Sequence, residues 1–189
     1  MSELNDLLGQ AELNIEAVGA WLDKASATAR LDAVRKIGKS SQRKLFEGAV
    51  GRPVDLEYMV PASAGTMREV IHEGHNSLPM FTLFQKRFCR LPDEDALAGY
   101  NEQAMRWATG PGYFVARQQG AEIAIDYTRL PTQKVAEWPE IIPQSARLGR
   151  LVYYDMVDML RRVSAHVTIG RAIKSGKLTE NYFLLCRQD

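Results

Sequence analysis

The chain has 189 residues, 46% of them apolar, which is enough to bury the core of one domain with a small appendage and no disulfide or metal staples. Its 24 basic and 23 acidic residues leave a net charge of +1, which excludes a global field drawing it toward nucleic acid or an anionic membrane. No segment approaches the roughly 18 consecutive apolar residues of a membrane span, and the acidic start MSELNDLLGQ lacks the pattern of a secretory signal, so a cytoplasmic location is expected.

Leu4, Leu8, Ala11, Ile15, Val18 and Leu22 follow one another in steps of four and three and predict an amphipathic helix, with Ser2 as its cap. After a break around residues 25–29, Leu31, Val34, Ile37, Leu45 and Phe46 predict a second helix, stopped between Gly48 and Pro53. Residues 1–50 therefore read as a helical hairpin, an appendage of the same domain whose apolar stripe could pair with a partner chain or form a homodimer. The second helix carries a basic face of Arg35, Lys36, Lys39 and Arg43, but no aromatic side chains interleave with it to stack bases. It reads as a solvated face partly neutralised by the neighbouring acidic helix, with a patch for phosphate or an acidic partner as the alternative.

From residue 51 onward the texture changes to short runs of aromatic and β-branched residues. VDLEYMV, TMREVIH, MFTLFQKRFCR, GYFVARQ, EIAIDYTRL, HVTIGRAI and NYFLLCR are candidate strands, with LAGYNEQ a weaker eighth. In MFTLFQKRF, Phe84 and Phe88 share one face, and Phe81 and Leu83 the other, so this strand is covered on both sides. QQGA and KSGK are hairpin turns around Gly120 and Gly176, which makes the sheet mainly antiparallel. One further helix is predicted near 145–163 from Leu148, Val152, Met156, Met159, Leu160 and Val163. The stretch PTQKVAEWPEIIPQ is a long loop. The expected fold is α+β: the helical hairpin packed on a strongly bent, mainly antiparallel sheet or incomplete β-barrel formed by residues 51–189.

Chemistry is suggested first by IHEGHN. Zinc-protease helices place two histidines four apart, whereas His72 and His75 are three apart and lie in a strand context that sends them to opposite faces. A bulge at Gly74 could realign them, and His166 could supply a third ligand, which gives a metal-dependent enzyme centred on the three histidines as one alternative. No cysteine pair or carboxylate motif completes such a site, so no metal or other cofactor is expected. GRAIKSGKL has five residues between Gly170 and Gly176 and lacks the Ser or Thr of a phosphate loop; it reads as a hairpin. Cys89 and Cys186 read as buried free thiols.

Five candidate strands end in arginine: Arg90, Arg117, Arg129, Arg171 and Arg187. Two or three guanidiniums at one rim, above an apolar cavity, would suit an amphiphile with an anionic head. Large aromatics in loops, among them Trp107, Tyr113 and Trp138, either pack down or meet ligand. The leading expectation is a domain that binds a small, mostly apolar and anionic-headed or otherwise amphiphilic molecule inside its bent sheet, through His75, Trp107, Tyr113, Tyr127 and Arg129. Tyr127 and Arg129 are expected on one strand face. An interaction module built on the helical hairpin is the other alternative.

Overall fold

The structure is a computed structural model and describes residues 2–80, 82–92 and 95–188. Phe81 and the side chain of Ser2, both used in the reading above, lie outside the described residues.

Eight strands form a closed antiparallel barrel, rather than an incomplete one: β1 (Val70–Asn76), β2 (Leu83–Arg90), β3 (Leu97–Glu102), β4 (Phe114–Gln119), β5 (Glu122–Asp126), β6 (Met156–Arg162), β7 (Val167–Lys174) and β8 (Lys177–Arg187). Each strand pairs with the next, and the 11-residue β8 also pairs with β1, from His72 opposite Arg187 to Asn76 opposite Phe183. Closure leaves no strand edge to guard. Gly120 at φ 61°, and Ser175 and Gly176 at φ 49° and 71°, make the two tight hairpin turns expected from QQGA and KSGK.

The first fifty residues form four helices, not a two-helix hairpin: α1 (Ser2–Gly9), α2 (Ile15–Lys24), α3 (Ala27–Val34) and α4 (Lys39–Gly48). The breaks follow capping chemistry that the apolar spacing hides. The Asn14 side chain accepts from the Ala17 N–H at 3.0 Å and Ser26 from the Ala29 N–H at 3.3 Å, each opening a new helix inside a continuous stripe. Arg30 is buried and its guanidinium donates to the carbonyls of Leu22 and Ala25 at the end of α2. The stripe itself (Leu4, Leu8, Val18, Leu22, Leu45) packs on the outward residues Val167, Ile169 and Leu184 of β7 and β8. The apolar face that could have served a partner chain is thus buried against the barrel wall.

Two segments differ from their expected type. VDLEYMV is a short helix, α5 (Leu56–Met59), because the Asp55 carboxylate accepts from the Tyr58 N–H at 2.6 Å and turns the chain. Leu56, Met59 and Val60 are buried together with Leu160 and Leu185, so α5 plugs one end of the barrel. The helix expected near 145–163 is only the four-residue α7 (Gly149–Val152), followed by strand β6. Asp155, at φ 50°, breaks any continuation of the helix. In β6 the inward set is Met156, Asp158 and Leu160, a period of two that a polar Asp158 disguises. The long loop lies against the outside of β2 and β3, where Trp138 packs edge-on to Tyr100 at 5.0 Å and its ring N–H donates to Glu69. Cys89 and Cys186 are both buried.

A polar floor and a pocket in the open half of the barrel

Inward residues change character along the barrel axis. Next to α5, Phe88, Leu97, Ile123, Leu160 and Leu185 are fully buried and pack in one apolar cluster. One pleat further along, the inward position of β2 is Lys86, flanked on the same face by Phe84 and Phe88, and that of β6 is Asp158. Lys86 and Asp158 are each 2% exposed.

Their side chains form a closed network. The Lys86 ammonium donates to Asp158 Oδ2 at 3.1 Å, to Asn101 Oδ1 at 3.0 Å and to the Tyr127 hydroxyl, which uses all three of its protons. Tyr127 in turn donates to Asp158 Oδ2 at 3.2 Å, and Asn101 Nδ2 donates to the Tyr127 oxygen at 3.1 Å and to the Gly112 carbonyl at 3.2 Å. Four rings surround the ammonium: Tyr127 at 4.9 Å, Phe114 and Phe183 at 5.1 Å, and Phe84 at 5.7 Å.

Glycines make room for three of those rings. Gly74 lies opposite Phe84, Gly99 opposite Phe114 and Gly170 opposite Phe183, each pair on neighbouring strands. A Cβ on any of the three glycines would strike the facing ring. The aromatic box is therefore set by cross-strand register, with a flat glycine surface under each phenylalanine.

Burial governs the protonation of this floor. It lowers the pKa of Lys86 from the usual lysine value, with the adjacent Asp158 carboxylate opposing the fall. It raises Tyr127 well above the ordinary phenol, and the neighbouring Asp158 charge adds to that rise. Tyr153, stacked on Tyr127 at 5.3 Å between ring centres, is pushed up to about 12, again chiefly by burial. Its hydroxyl accepts from Gln103 Nε2 at 2.7 Å.

Above the network lies a pocket of about 350 Å³. Lys86, Asp158, Asn101 and Tyr127 form its floor, Phe84, Phe183, Met156 and Ala172 contribute to its wall, and Leu78, Leu151, Val152 and Lys174 lie toward the strand ends and turns at its mouth.

Of the five residues expected at the site, only Tyr127 lines this pocket. His75 points outward beneath α4, with Gln42 Nε2 3.4 Å from its Nδ1. Tyr113 is buried outside the barrel wall and donates to the Pro139 carbonyl at 2.5 Å. Trp107 lies on the short helix α6 (Arg106–Thr109) and is 74% exposed. Arg129 follows the end of β5 in a turn, so it does not share a strand face with Tyr127, and it pairs with Asp126 at 3.2 Å. The strand-end arginines do not gather at the mouth either: Arg90 pairs with Glu57, Arg171 with Glu180, and Arg187 donates to the Tyr58 carbonyl. From the basic face of α4 and the turn before it, Arg43 pairs with Glu47 and Arg35 with Glu73.

The register of β1 against β2 runs unbroken through Gly74, so no bulge realigns the histidines. His72 points inward, with its ring nitrogen Nε2 2.8 Å from the Met59 carbonyl, while His75 points out. Among the described residues, no three His, Cys, Asp or Glu side chains gather as a metal site. A three-histidine metal centre has no geometric support.

Comparison of the chain with protein-family models, with curated proteins and with solved structures finds no match. Among the described residues, no helix is long and apolar enough to cross a membrane.

Proposed function

We propose that this chain binds one small, mostly apolar molecule in the open half of its barrel, with the molecule's polar head on the floor formed by Lys86, Asp158, Asn101 and Tyr127. One observation carries the reading. The same eight strands that enclose a buried apolar cluster beside α5 leave a pocket of about 350 Å³ on the other side of a buried ionic network. A few convergent polar groups under apolar walls are the usual construction of a small-molecule site, and the volume lies within the range of roughly 300 to 1,000 Å³ such sites occupy.

The floor also selects among heads. Lys86 and Asp158 cancel in charge, so the floor is polar without a net field and favours an uncharged polar head. An anionic head of the kind suggested by the arginine pattern would sit higher, beside Lys174 at the mouth. Of the residues expected from sequence, the proposal keeps Tyr127 alone.

Organic-solvent extraction of freshly purified protein, paired with native mass spectrometry of the unextracted sample, tests the reading. The expected result is a single small molecule bound in a 1:1 complex and released by the solvent. A protein that carries nothing, and that acquires nothing when offered a panel of small apolar alcohols, amides and carbonyl compounds, would refute it.

A further inference from the structure

Lysine is a costly choice for the floor of an apolar pocket. Hydrogen-bonding to a ligand could be done by asparagine or glutamine without burying a charge, and the Lys86–Asp158 pair has to overcome the desolvation of both ions. What lysine adds is a nucleophilic nitrogen. Lys86 lines the pocket, its Nζ has a carboxylate at 3.1 Å and a phenol in direct hydrogen-bond contact, and both of those groups line the same pocket. Nucleophile, proton carrier and counter-ion are thus gathered around one point.

We propose that Lys86 forms a Schiff base with the carbonyl carbon of an apolar aldehyde bound in the barrel, with Asp158 as proton carrier and counter-ion. The inference rests on the ligand-binding reading above and names the ligand's chemical class. Lys86 passes one ammonium proton to Asp158, and the free amine adds to the carbonyl carbon. Tyr127 and Asn101 lie within reach of the developing alcohol as hydrogen-bonding groups. The carbonyl oxygen collects one hydrogen from the nitrogen and one from Asp158 and leaves as water. The protonated imine that remains carries one positive charge, matched by the restored Asp158 carboxylate, so atoms and charge balance with no further reactant. The fall in the Lys86 pKa on burial acts in the same direction, because it raises the fraction of unprotonated amine near neutral pH. The surrounding rings exclude the bulk water that would hydrolyse the imine.

The test is reductive trapping on the intact protein. 2-Naphthaldehyde, a flat apolar aldehyde, is added near pH 7 with cyanoborohydride, and the labelled lysines are mapped by peptide mass spectrometry. The expected product is one adduct on Lys86, heavier by the aldehyde less one oxygen atom. It should form about tenfold or more faster than labelling of Lys174 at the mouth, since an aldehyde held in the pocket meets Lys86 at a high effective concentration. Label spread over the exposed lysines with Lys86 untouched would overturn the imine. A parallel titration with 2-naphthalenemethanol, which has the same body and no carbonyl, separates the two failures. If the alcohol forms a 1:1 complex while Lys86 stays unlabelled, only the imine falls. If neither compound enters, the binding reading falls with it.

Discussion

The end of the barrel closed by α5 and the end that holds the pocket are built from the same eight strands, yet their inward positions carry different chemistry. At the closed end Phe88, Leu97, Ile123, Leu160 and Leu185 pack as an ordinary apolar core, with His72, Arg90 and Arg187 turned toward α5 and the residue after it. At the open end the same faces present Lys86, Asp158, Asn101 and Tyr127 beneath unfilled space. Apolar residues at these positions would give an equal or more stable barrel, because a buried ion pair seldom outperforms well-packed hydrocarbon. The contrast teaches that one half of the interior follows the ordinary rule for a stable core and the other departs from it, which is the departure the proposed ligand would account for.

Substitutions can break this contrast in order of expected size. Asp158→Ala leaves the Lys86 ammonium buried without its partner and should cost about 4 kcal/mol in urea unfolding. The double change of Lys86→Met with Asp158→Leu should recover most of that loss. If the single and double variants prove equally unstable, the ion pair is part of the supporting core and the division between the halves is wrong. At the closed end, Leu160→Ala should cost about 3 kcal/mol through the cavity it opens, and should leave ligand affinity unchanged.

His72 gives the closed end its own pH signature. Burial lowers its pKa from 6.5 to about 4, against the opposing effect of the Met59 carbonyl. The unfolded chain therefore takes up a proton near pH 6.5 while the folded chain resists until about 4, and protonation favours unfolding across that window. Its contribution is fully present above about pH 6.5, and about 3 kcal/mol should be lost as the pH falls to 4. His72→Leu should flatten this share of the profile in denaturant titrations run across the window. The smallest change is expected from Ala172→Phe, which grows a ring into the pocket and should alter stability by about 1 kcal/mol or less, because the space it enters is empty.

Much of the architecture was legible in the chain. The β-rich character past residue 53, the antiparallel pairing and the hairpin turns at Gly120 and Gly176 all follow from local chemistry. The candidate site is legible in one place: Phe84, Lys86 and Phe88 share a strand face by a period of two, and a lysine between two inward phenylalanines is a buried lysine. Asp158 was hidden for a different reason. Leu148, Val152, Met156, Met159, Leu160 and Val163 satisfy helical spacing as well as they do strand spacing, and a helix would have turned Asp158 to solvent. The glycine-backed aromatic box could not be read at all, since it depends on which strands become neighbours and in what register. The strand-end arginines do not mark the site, because Arg90 and Arg187 find partners distant in the chain, Glu57 and the Tyr58 carbonyl, and Arg171 pairs with Glu180 across the β7–β8 hairpin.

The most direct test of the account is a native mass spectrometric titration of the wild-type chain and of Ala172→Phe with 2-naphthalenemethanol, with circular dichroism to show that both are folded. The account predicts a 1:1 complex with the wild type and at least a tenfold weaker one with the variant, about 1.4 kcal/mol. Equal binding by the two folded proteins, or none by the wild type, would contradict it.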